Sequence, residues 1–502
     1  MSRRPLFLFV FCAALSSAFI AQAQNPTFTN ETATRLSGAG VSTDSSEKDY
    51  GIGDFDLDGD DDVIVGRRVG LNINTGSPLP NFLLMNQSGV LTDMTAALAP
   101  ALSASQRTRD VLIDDFDNDG WLDALIADGP NVAPLLLMNQ GESGGSWLGF
   151  ADMSIMLPAG FNVDAWTAGS GDLLNDGDGY PDVFVGVRTG NDRILINAGD
   201  AGAGWLGFTD GSARLGANAS TNAVRSVTIT DLNGDGDQDI IQGVTGTGLL
   251  RMLPNNGSGM FNAAGQTFAN SATYNHALGD LDGDGDLEIF AVQNGNDQYR
   301  LNNGPAAGET ISLGAAVNAP GTNGFGAICR ATDLDGDGLT DFLVADLDQE
   351  FPQDCSRRLQ ILLNDGTGPS FLFDAYPGVV GWTPNGTSDV APIDIDGDND
   401  IDLLIGHCGG NTVWTQDGTG VVIPRFSRGD VNNDGALDVA DPVSLLAFLF
   451  SGGPAPACED AADGIAILGA LFSGTGPLPD PLMCDVDPTM DMLDCLDTTN
   501  CP

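Results

Sequence analysis

Residues 53–62 read GDFDLDGDDD, which crowds Asp54, Asp56, Asp58, Asp60, Asp61 and Asp62 into ten positions. A folded chain keeps such carboxylates together against their mutual repulsion only where something offsets it. The stretch recurs as DFDNDGWLD from Asp115, DLNGDGDQD from Asp231, DLDGDGDLE from Asp280, DLDGDGLTD from Asp333 and DIDGDNDID from Asp394, with a distorted copy, LLNDGDGYPD, ending at Asp182. Seven copies, spaced by about 50 to 60 residues, mark a repeat architecture.

Within a copy, side-chain oxygens stand at positions 1, 3, 5 and 9. Gly usually holds position 6 for a sharp turn, and position 7 offers a backbone carbonyl. This is the ligand grammar of an EF-hand-like calcium loop. Carboxylate oxygens without Cys or His select Ca²⁺ over zinc or copper, and the flexible geometry argues against Mg²⁺. The expected ligands are Asp54, Asp56, Asp58, Asp60 and Asp62 in the first loop, and Asp115, Asp117, Asp119, Trp121 and Asp123 in the second. The third has Asp172, Asp176, Asp178, Tyr180 and Asp182; the fourth Asp231, Asn233, Asp235, Asp237 and Asp239. The fifth has Asp280, Asp282, Asp284, Asp286 and Glu288, the sixth Asp333, Asp335, Asp337, Leu339 and Asp341, and the seventh Asp394, Asp396, Asp398, Asp400 and Asp402. Trp121, Tyr180 and Leu339 enter through their carbonyls. In the third loop, counting back from Asp182 puts Leu174 at position 1, and Asp172 replaces it only if two extra residues bulge out. A merely solvated acidic turn does not explain the fixed alternation.

The whole chain carries 69 acidic against 19 basic residues, a formal charge of −50, which excludes binding to a nucleic acid backbone. With 42% hydrophobic residues it has ample material for cores. The first stretch, MSRRPLFLFVFCAALSSAFIAQAQ, sets Arg3 and Arg4 before an apolar run from Leu6 to Ile20 and the small-residue pattern Ala21-Gln22-Ala23. It reads as a secretory signal peptide, 1–23, and nothing after it reads as a membrane span. The mature chain is therefore expected outside the cell, where calcium is millimolar and suits weak sites.

Around every loop the strands repeat. One enters (ALGD before Asp280) and one leaves (DVFVG from Asp182, DFLVA from Asp341). A third ends in Asn and a turn (NFLLMNQ, PLLLMNQG, DRILINAG, QYRLNNG, LQILLNDG), and fourths follow as VLTDMTAAL, GFADMSIML and GFTDGSARL. Four short strands per unit is the pattern of propeller blades. The predicted fold is all-β, a seven-bladed β-propeller over 24–425. The seventh unit has no fourth strand of its own type after NTVWTQDG. FTNETATRL from Phe28, which matches FTDGSARL, is expected to complete it and close the ring, although VVIPRF near Val421 is a second candidate.

These loops and strands resemble the FG-GAP or VCBS repeat propellers, whose fold is that of the integrin alpha-subunit head, over about 400 residues. The resemblance implies calcium between the first two strands of each blade, and a role in adhesion, ligand binding or scaffolding. Some relatives are polysaccharide lyases, so a secreted polysaccharide-active enzyme is the alternative, and fold alone does not decide. A polysaccharide or protein ligand on the propeller face is expected.

From 426 to 502 the pattern changes to RGDVNNDGALDVADPVSLLAFLFSGG, a calcium loop running into an apolar helix. Asp430, Asn432, Asp434, Asp438 and Asp441 hold positions 1, 3, 5, 9 and 12, with Ala436 offering its carbonyl. The stretch resembles the first half of a type I dockerin. The second half, DGIAILGALFSG from Asp463, keeps the helix and has lost the loop, and Val439 and Ala440 stand where dockerins often present Ser and Thr. The resemblance implies an anchoring tail with a cohesin-like or cell-surface partner. Eight Ca²⁺ ions, one per loop, bring the mature charge from about −52 to about −36. The ligand carboxylates of that loaded ring are expected to have depressed pKa values.

Cysteine usage fits an oxidising compartment. Cys329 with Cys355 is a candidate staple for blade six, Cys458, Cys484, Cys495 and Cys501 suffice for two bridges in the tail, and Cys408 is left over, expected to be buried and inert. No catalytic set stands out. Gly141-Glu142-Ser143-Gly144-Gly145 fits G-x-S-x-G but lies in a Gly-rich turn, not a strand-to-helix elbow. His276 and His407 are expected to pack between blades, and Trp147 and Trp205 either stack sugars or fill space there.

Overall fold

The computed structural model describes residues 26–416, except 39, 69–77, 130–131, 201, 203, 220–222, 246–248, 262–264, 269–272, 306–309, 320–323, 348–358, 365–372 and 376–385. The expected signal peptide, the whole dockerin-like tail and Cys355 lie outside the described residues.

Seven antiparallel blades follow one another as a propeller, blades five and six being joined where Asn294 and Gly295 pair with Phe325 and Gly324. The first runs Glu47–Gly53, Asp62–Arg68, Phe82–Asn86 and Leu91–Asp93, from the innermost strand outward, and gains a parallel strand at Leu36–Ser37. The innermost strands of blades two to seven are Thr108–Asp114, Ala165–Gly171, Val224–Thr230, Thr273–Gly279, Gly324–Thr332 and Asp389–Ile393. Second strands read as unbroken apolar runs because both faces are covered: every residue of Asp123–Asp128, Asp182–Val187 and Asp239–Val244 is buried.

The core is divided among the blade interfaces, one cluster at each of the seven. Phe55, Ile64, Val111 and Leu137 pack blade one on two, and Phe290, Phe342 and Leu362 pack five on six. Val63, Leu404 and Val413 close the ring between seven and one. No blade is stable alone, since its hydrophobic faces are buried only by its neighbours.

Closure comes from the N-terminal strand. Phe28–Asn30 pairs antiparallel with Gly410–Gln416, Phe28 opposite Gln416 and Asn30 opposite Trp414. The kinship of FTNETATRL with the other outer strands extends to single hydrogen bonds. Thr32 N–H donates to Asn30, and the Thr32 hydroxyl accepts Val413 N–H at 3.0 Å. Ser212 repeats this with Asp210 and Ile194, and Thr95 with Asp93 and Leu83. Those side-chain turns cut the outer strands to three residues and carry the chain into helical turns at Thr32–Arg35, Thr95–Leu98 and Ser212–Asn218, so the expected fourth strands are shorter than their sequence stretches.

The Cys329–Cys355 staple is not formed. Cys329 is a buried free thiol on an innermost strand, its Sγ 3.3 Å from the Asn275 side chain. Cys408, expected to be buried, is half-buried, and its N–H donates to Gly386 O at 3.2 Å.

Candidate functional site

The acidic loops all join an innermost strand to the second strand of the same blade, on one face of the ring. In the first, Asp54 at position 1 accepts the N–H groups of Asp58 (3.1 Å) and Gly59 (3.0 Å), and Asp58 at position 5 accepts that of Asp60. Asp115 treats Asp119 and Gly120 the same way, and Asp333 treats Asp337 and Gly338 so. Two residues per loop take positive φ, at positions 4 and 6: Leu57 and Gly59, Asn118 and Gly120, Gly234 and Gly236, Gly397 and Asn399.

That signature corrects the third loop. Asn175 and Gly177 hold the positive-φ places, and Asp172 accepts the N–H groups of Asp176 and Gly177 (2.9 Å), so Asp172 is position 1. Leu174 stands at position 3, not position 1, and the two extra residues lie between position 7 and Asp182. The loop has therefore lost its position 3 oxygen.

Position 9 ties the loop to the blade. Asp62 accepts Phe55 N–H through Oδ2 and Asn86 N–H, at the end of the third strand, through Oδ1. Asp123, Asp341 and Asp402 do the same for their own loops and third strands, Glu288 does so with its longer side chain, and Asp182 accepts Asn197 N–H at its third strand but takes the position 3 N–H, that of Leu174, in its loop. The terminal Asn of the third strand then reaches across the interface. Asn139 Nδ2 donates to Phe55 O at 2.8 Å, Asn197 to Phe116 O, Asn255 to Leu173 O and Asn364 to Leu281 O, each carbonyl being position 2 of the preceding blade's loop. These asparagines are a functional set that the reading of the loops passed over, although the recurring Asn-turn signal was in plain view.

Carboxylate oxygens converge in five loops. One oxygen from each of Asp115, Asp117 and Asp123 lies within 4.8 Å of the others, and so it is for Asp280, Asp282 and Glu288, for Asp333, Asp335 and Asp341, and for Asp394, Asp396 and Asp402. In the first loop the converging set is Asp54, Asp56 and Asp58. Position 3 stands out: Asp56 Oδ1, Asp117 Oδ1, Asp396 Oδ1 and both oxygens of Asp335 are buried and accept no hydrogen bond. A buried carboxylate oxygen without a donor calls for a cation. The donor set, oxygen only and converging from flexible loops, fits Ca²⁺. In blade seven Arg35 supplies part of the charge, 3.0 Å from the other Asp396 oxygen.

In the ion-free chain, burial pushes these groups up, and the neighbouring carboxylates add to it: Asp62 and Asp123 to about 9, Asp341 to about 8, Asp335 and Glu288 to about 7, Asp56 and Asp117 to about 6. The depressed values expected from the sequence belong to a loaded ring.

At the other end of the channel the innermost strands carry a β-bulge in the same place. Register slips between Thr108 and Asp110, Ala165 and Thr167, Val224 and Ser226, Thr273 and Asn275, and Gly326 and Ile328, so five successive blades carry the bulge, and in blades two to five it sets Arg109, Trp166, Arg225 and Tyr274 out of the pleat. Bulges re-aim side chains and are over-represented beside active sites. The arginine Arg225 lies over Trp166 (4.5 Å) and Tyr274 (5.3 Å).

The other fragments resolve to packing. His276 is buried between the Ser226 hydroxyl (2.7 Å) and the Thr228 hydroxyl (3.0 Å), and burial lowers it to about 4, so it is a neutral core group. Trp147 and Trp205 stand edge-on against Phe150 and Phe208 and donate to Asn139 and Asn197, so they brace the third-strand asparagines. Gly141-Glu142-Ser143-Gly144-Gly145 is the tip of a turn closed by the Glu142–Trp147 bridge, with no helix behind it. Lys48, the only lysine, is buried with Asp44 at 3.1 Å.

No curated protein matches the chain. Among solved structures it is similar to an Agrocybe aegerita lectin described as recognising non-reducing terminal N-acetylglucosamine, at 19% identity and TM-score 0.42, over 76% of this chain and 92% of that one. It is also similar to BBS1N in complex with ARL6DN, at 12% identity and TM-score 0.41, over 76% and 96%. Residues 175–242, 280–344 and 333–405 match the model of the FG-GAP-like repeat, which spans blades three to seven, and blades one and two repeat the same loop geometry. The ring is a seven-bladed, all-β propeller that carries FG-GAP-like repeats.

Proposed function

We propose that the chain is a secreted propeller loaded with Ca²⁺ at its acidic loops, acting as a non-catalytic binding, adhesion or surface-scaffold protein, with the segment 426–502 as a dockerin-like anchoring tail. The observation that carries the metal assignment is the buried, donorless position 3 oxygen beside the carboxylates of positions 1 and 9. A ring of this kind is a rigid platform: every blade interface is packed, and six of the seven loops are tied to the next blade through an asparagine, Gln416 standing in that place in blade seven. The test has two parts. Equilibrium dialysis of the mature protein against millimolar calcium is expected to give several bound Ca²⁺ per chain, and chelator is expected to lower the melting temperature; identical melting in calcium and in chelator removes the metal reading. A glycan array probed in calcium then asks for the ligand. For the tail, the oxidised fragment 426–502 is expected to gain helicity on adding calcium, and equal helicity in chelator counts against the loop.

The second reading, a polysaccharide-active enzyme such as a lyase, draws on the gathering of Arg109, Arg225 and Tyr274 at one end of the channel. The imidazole nearest them, His276, has both ring nitrogens engaged by the Ser226 and Thr228 hydroxyls, which counts against its serving as the proton-transfer group. Release of unsaturated oligosaccharides from acidic polysaccharides by the purified protein decides for this reading, and their absence decides against it.

A further inference from the structure

We infer that the channel end opposite the metal loops is a binding site for a small oxyanion, either the carboxylate of an acidic ligand or a free inorganic anion. The inference deepens the binding reading above and rests on it for an intact ring.

Charge is the first argument. In a chain with only 19 basic residues, Arg68, Arg109, Arg225 and Arg330 converge on this one channel. Two of them are matched: Arg330 lies 2.8 Å from Asp389, and Arg68 lies 3.5 Å from Asp49. Arg109 and Arg225 are not matched in this way; the carboxylate that acts on both is Glu47. Burial lowers both to about 10, and the nearby Arg68 adds to the effect.

Arg109 is only 5% exposed, and its Nε and Nη2 have no acceptor; the Trp166 indole Nε1 is also buried without one. All three atoms are donors. Buried donors left open in a native structure call for an acceptor that arrives from outside. The aromatic groups hold the cations in place: Trp166 lies between Arg225 (4.5 Å) and Arg188 (5.9 Å), and Tyr274 covers Arg225 on another side.

Space is available. A cavity of about 180 Å³ is lined by Arg68, Arg225, Tyr274 and Arg330 together with Asp49 and Asp110; Arg109 and Trp166 stand outside this lining, on the strands whose neighbouring residues Asp110 and Thr167 form it. Its carboxylates are spent on the fold. Asp49 and Asp110 accept the N–H groups of Val111 and Ala168 from the neighbouring blades, and outside the cavity Asp164 holds Arg188 at 2.7 Å. Asp49 and Asp110 repel an anion from the inner channel, which leaves the outer end, beside Arg109, Arg225 and Trp166, as its place.

Calorimetric titration of the mature protein in calcium with D-glucuronate, with sulfate and with neutral D-glucose tests the site. Saturable binding of glucuronate or sulfate is expected, with none of glucose, and binding at least ten-fold weaker in Arg225→Gln and Arg109→Gln. Trp166→Phe serves as the gentler variant should an arginine variant fail to fold, and it is expected to weaken binding while the melting temperature stays put. Binding of glucuronate alone assigns the site to an acidic ligand's carboxylate, and binding of sulfate alone to a free anion. Absence of binding by both, or equal binding by well-folded variants, overturns the inference. A blank glycan array leaves this result untouched, and anion binding with a blank array removes only the glycan reading.

Discussion

The side-chain amide of Asn86 donates to the carbonyl oxygen of Ile395 at 3.0 Å, joining residues 309 apart in sequence. Asn86 ends the third strand of blade one, and Ile395 is position 2 of the loop of blade seven, so a bond at the seam of the ring repeats the bonds inside it. The same amide group at Asn197 has four partners. Its Nδ2 serves Phe116 O (2.7 Å) and Pro181 O (3.1 Å), and its Oδ1 accepts from Gly199 and Trp205. Asn197→Ala orphans these groups in a buried setting, and each orphan costs about 1–3 kcal/mol. A total loss of about 3 kcal/mol is expected in denaturant unfolding, against no measurable loss for Asn162→Ala in an exposed loop. Similar midpoints for the two variants refute the role assigned to the asparagine.

Leu57 takes φ 55° at position 4 of the first loop, where other loops place Gly or Asn. An ordinary side chain in this conformation costs about 1–2 kcal/mol. Leu57 is 46% exposed, so little packing is lost on trimming it. Leu57→Gly is expected to stabilise the protein by about 1 kcal/mol in thermal melts, while Leu57→Ala, which keeps the clash, gains nothing.

Ring closure rests on three residues. Phe28 is 6% exposed and packs with Leu403 and Trp414 at the interface of blades six and seven. Phe28→Ala is expected to cost about 3 kcal/mol. Removing 24–30 altogether bares the edge of Gly410–Gln416, and an unpaired edge invites association. Light scattering of the truncated protein is expected to show aggregates at concentrations where the mature chain is monodisperse; a monodisperse, equally stable truncation means another segment closes the ring.

The third loop offers a gain-of-function test. With Leu174 at position 3 it lacks the oxygen that Asp56, Asp117 and Asp335 supply elsewhere, and no three of its carboxylates converge as those five sets do. Leu174→Asp is expected to raise the calcium-dependent increment in melting temperature and lower melting in chelator. Of the existing ligands, Asp58→Ala is expected to lose more calcium stabilisation than Asp172→Ala.

How far the sequence carried the structure depended on what it repeats. Carboxylates alternating with apolar residues revealed the loops and the blade count, and FTNETATRL revealed closure, because each position recurs with the same chemistry. The third loop was misregistered because the spacing was counted from Asp182, whereas the turn is set by the two φ-positive residues, Asn175 and Gly177. The channel mouth was illegible for the opposite reason. Its bulged residues, Arg109, Trp166, Arg225 and Tyr274, share a backbone irregularity and no side-chain type, and a bulge leaves no mark on the hydrophobic pattern.

The pH dependence of stability separates a loaded ring from a bare one by sign. In the ion-free chain burial raises Asp62, Asp123, Asp341, Asp335 and Glu288 to between about 7 and 9. Unfolded carboxyls titrate near pH 4, about 3.9 for Asp and 4.3 for Glu. Between pH 4 and those raised values the folded chain binds more protons than the unfolded one, so its stability falls as pH rises. In chelator the melting temperature is therefore expected to be higher at pH 5 than at pH 8. Calcium reverses the slope, because a bound ion favours the ionised carboxylates and protons compete with it: stability is kept at neutral pH and lost on acidification. The gap between the calcium and chelator curves is expected to widen steadily from pH 5 to pH 8. Parallel curves, or a chelated protein that melts higher at pH 8, mean that the acidic loops are not the calcium sites that stabilise this ring.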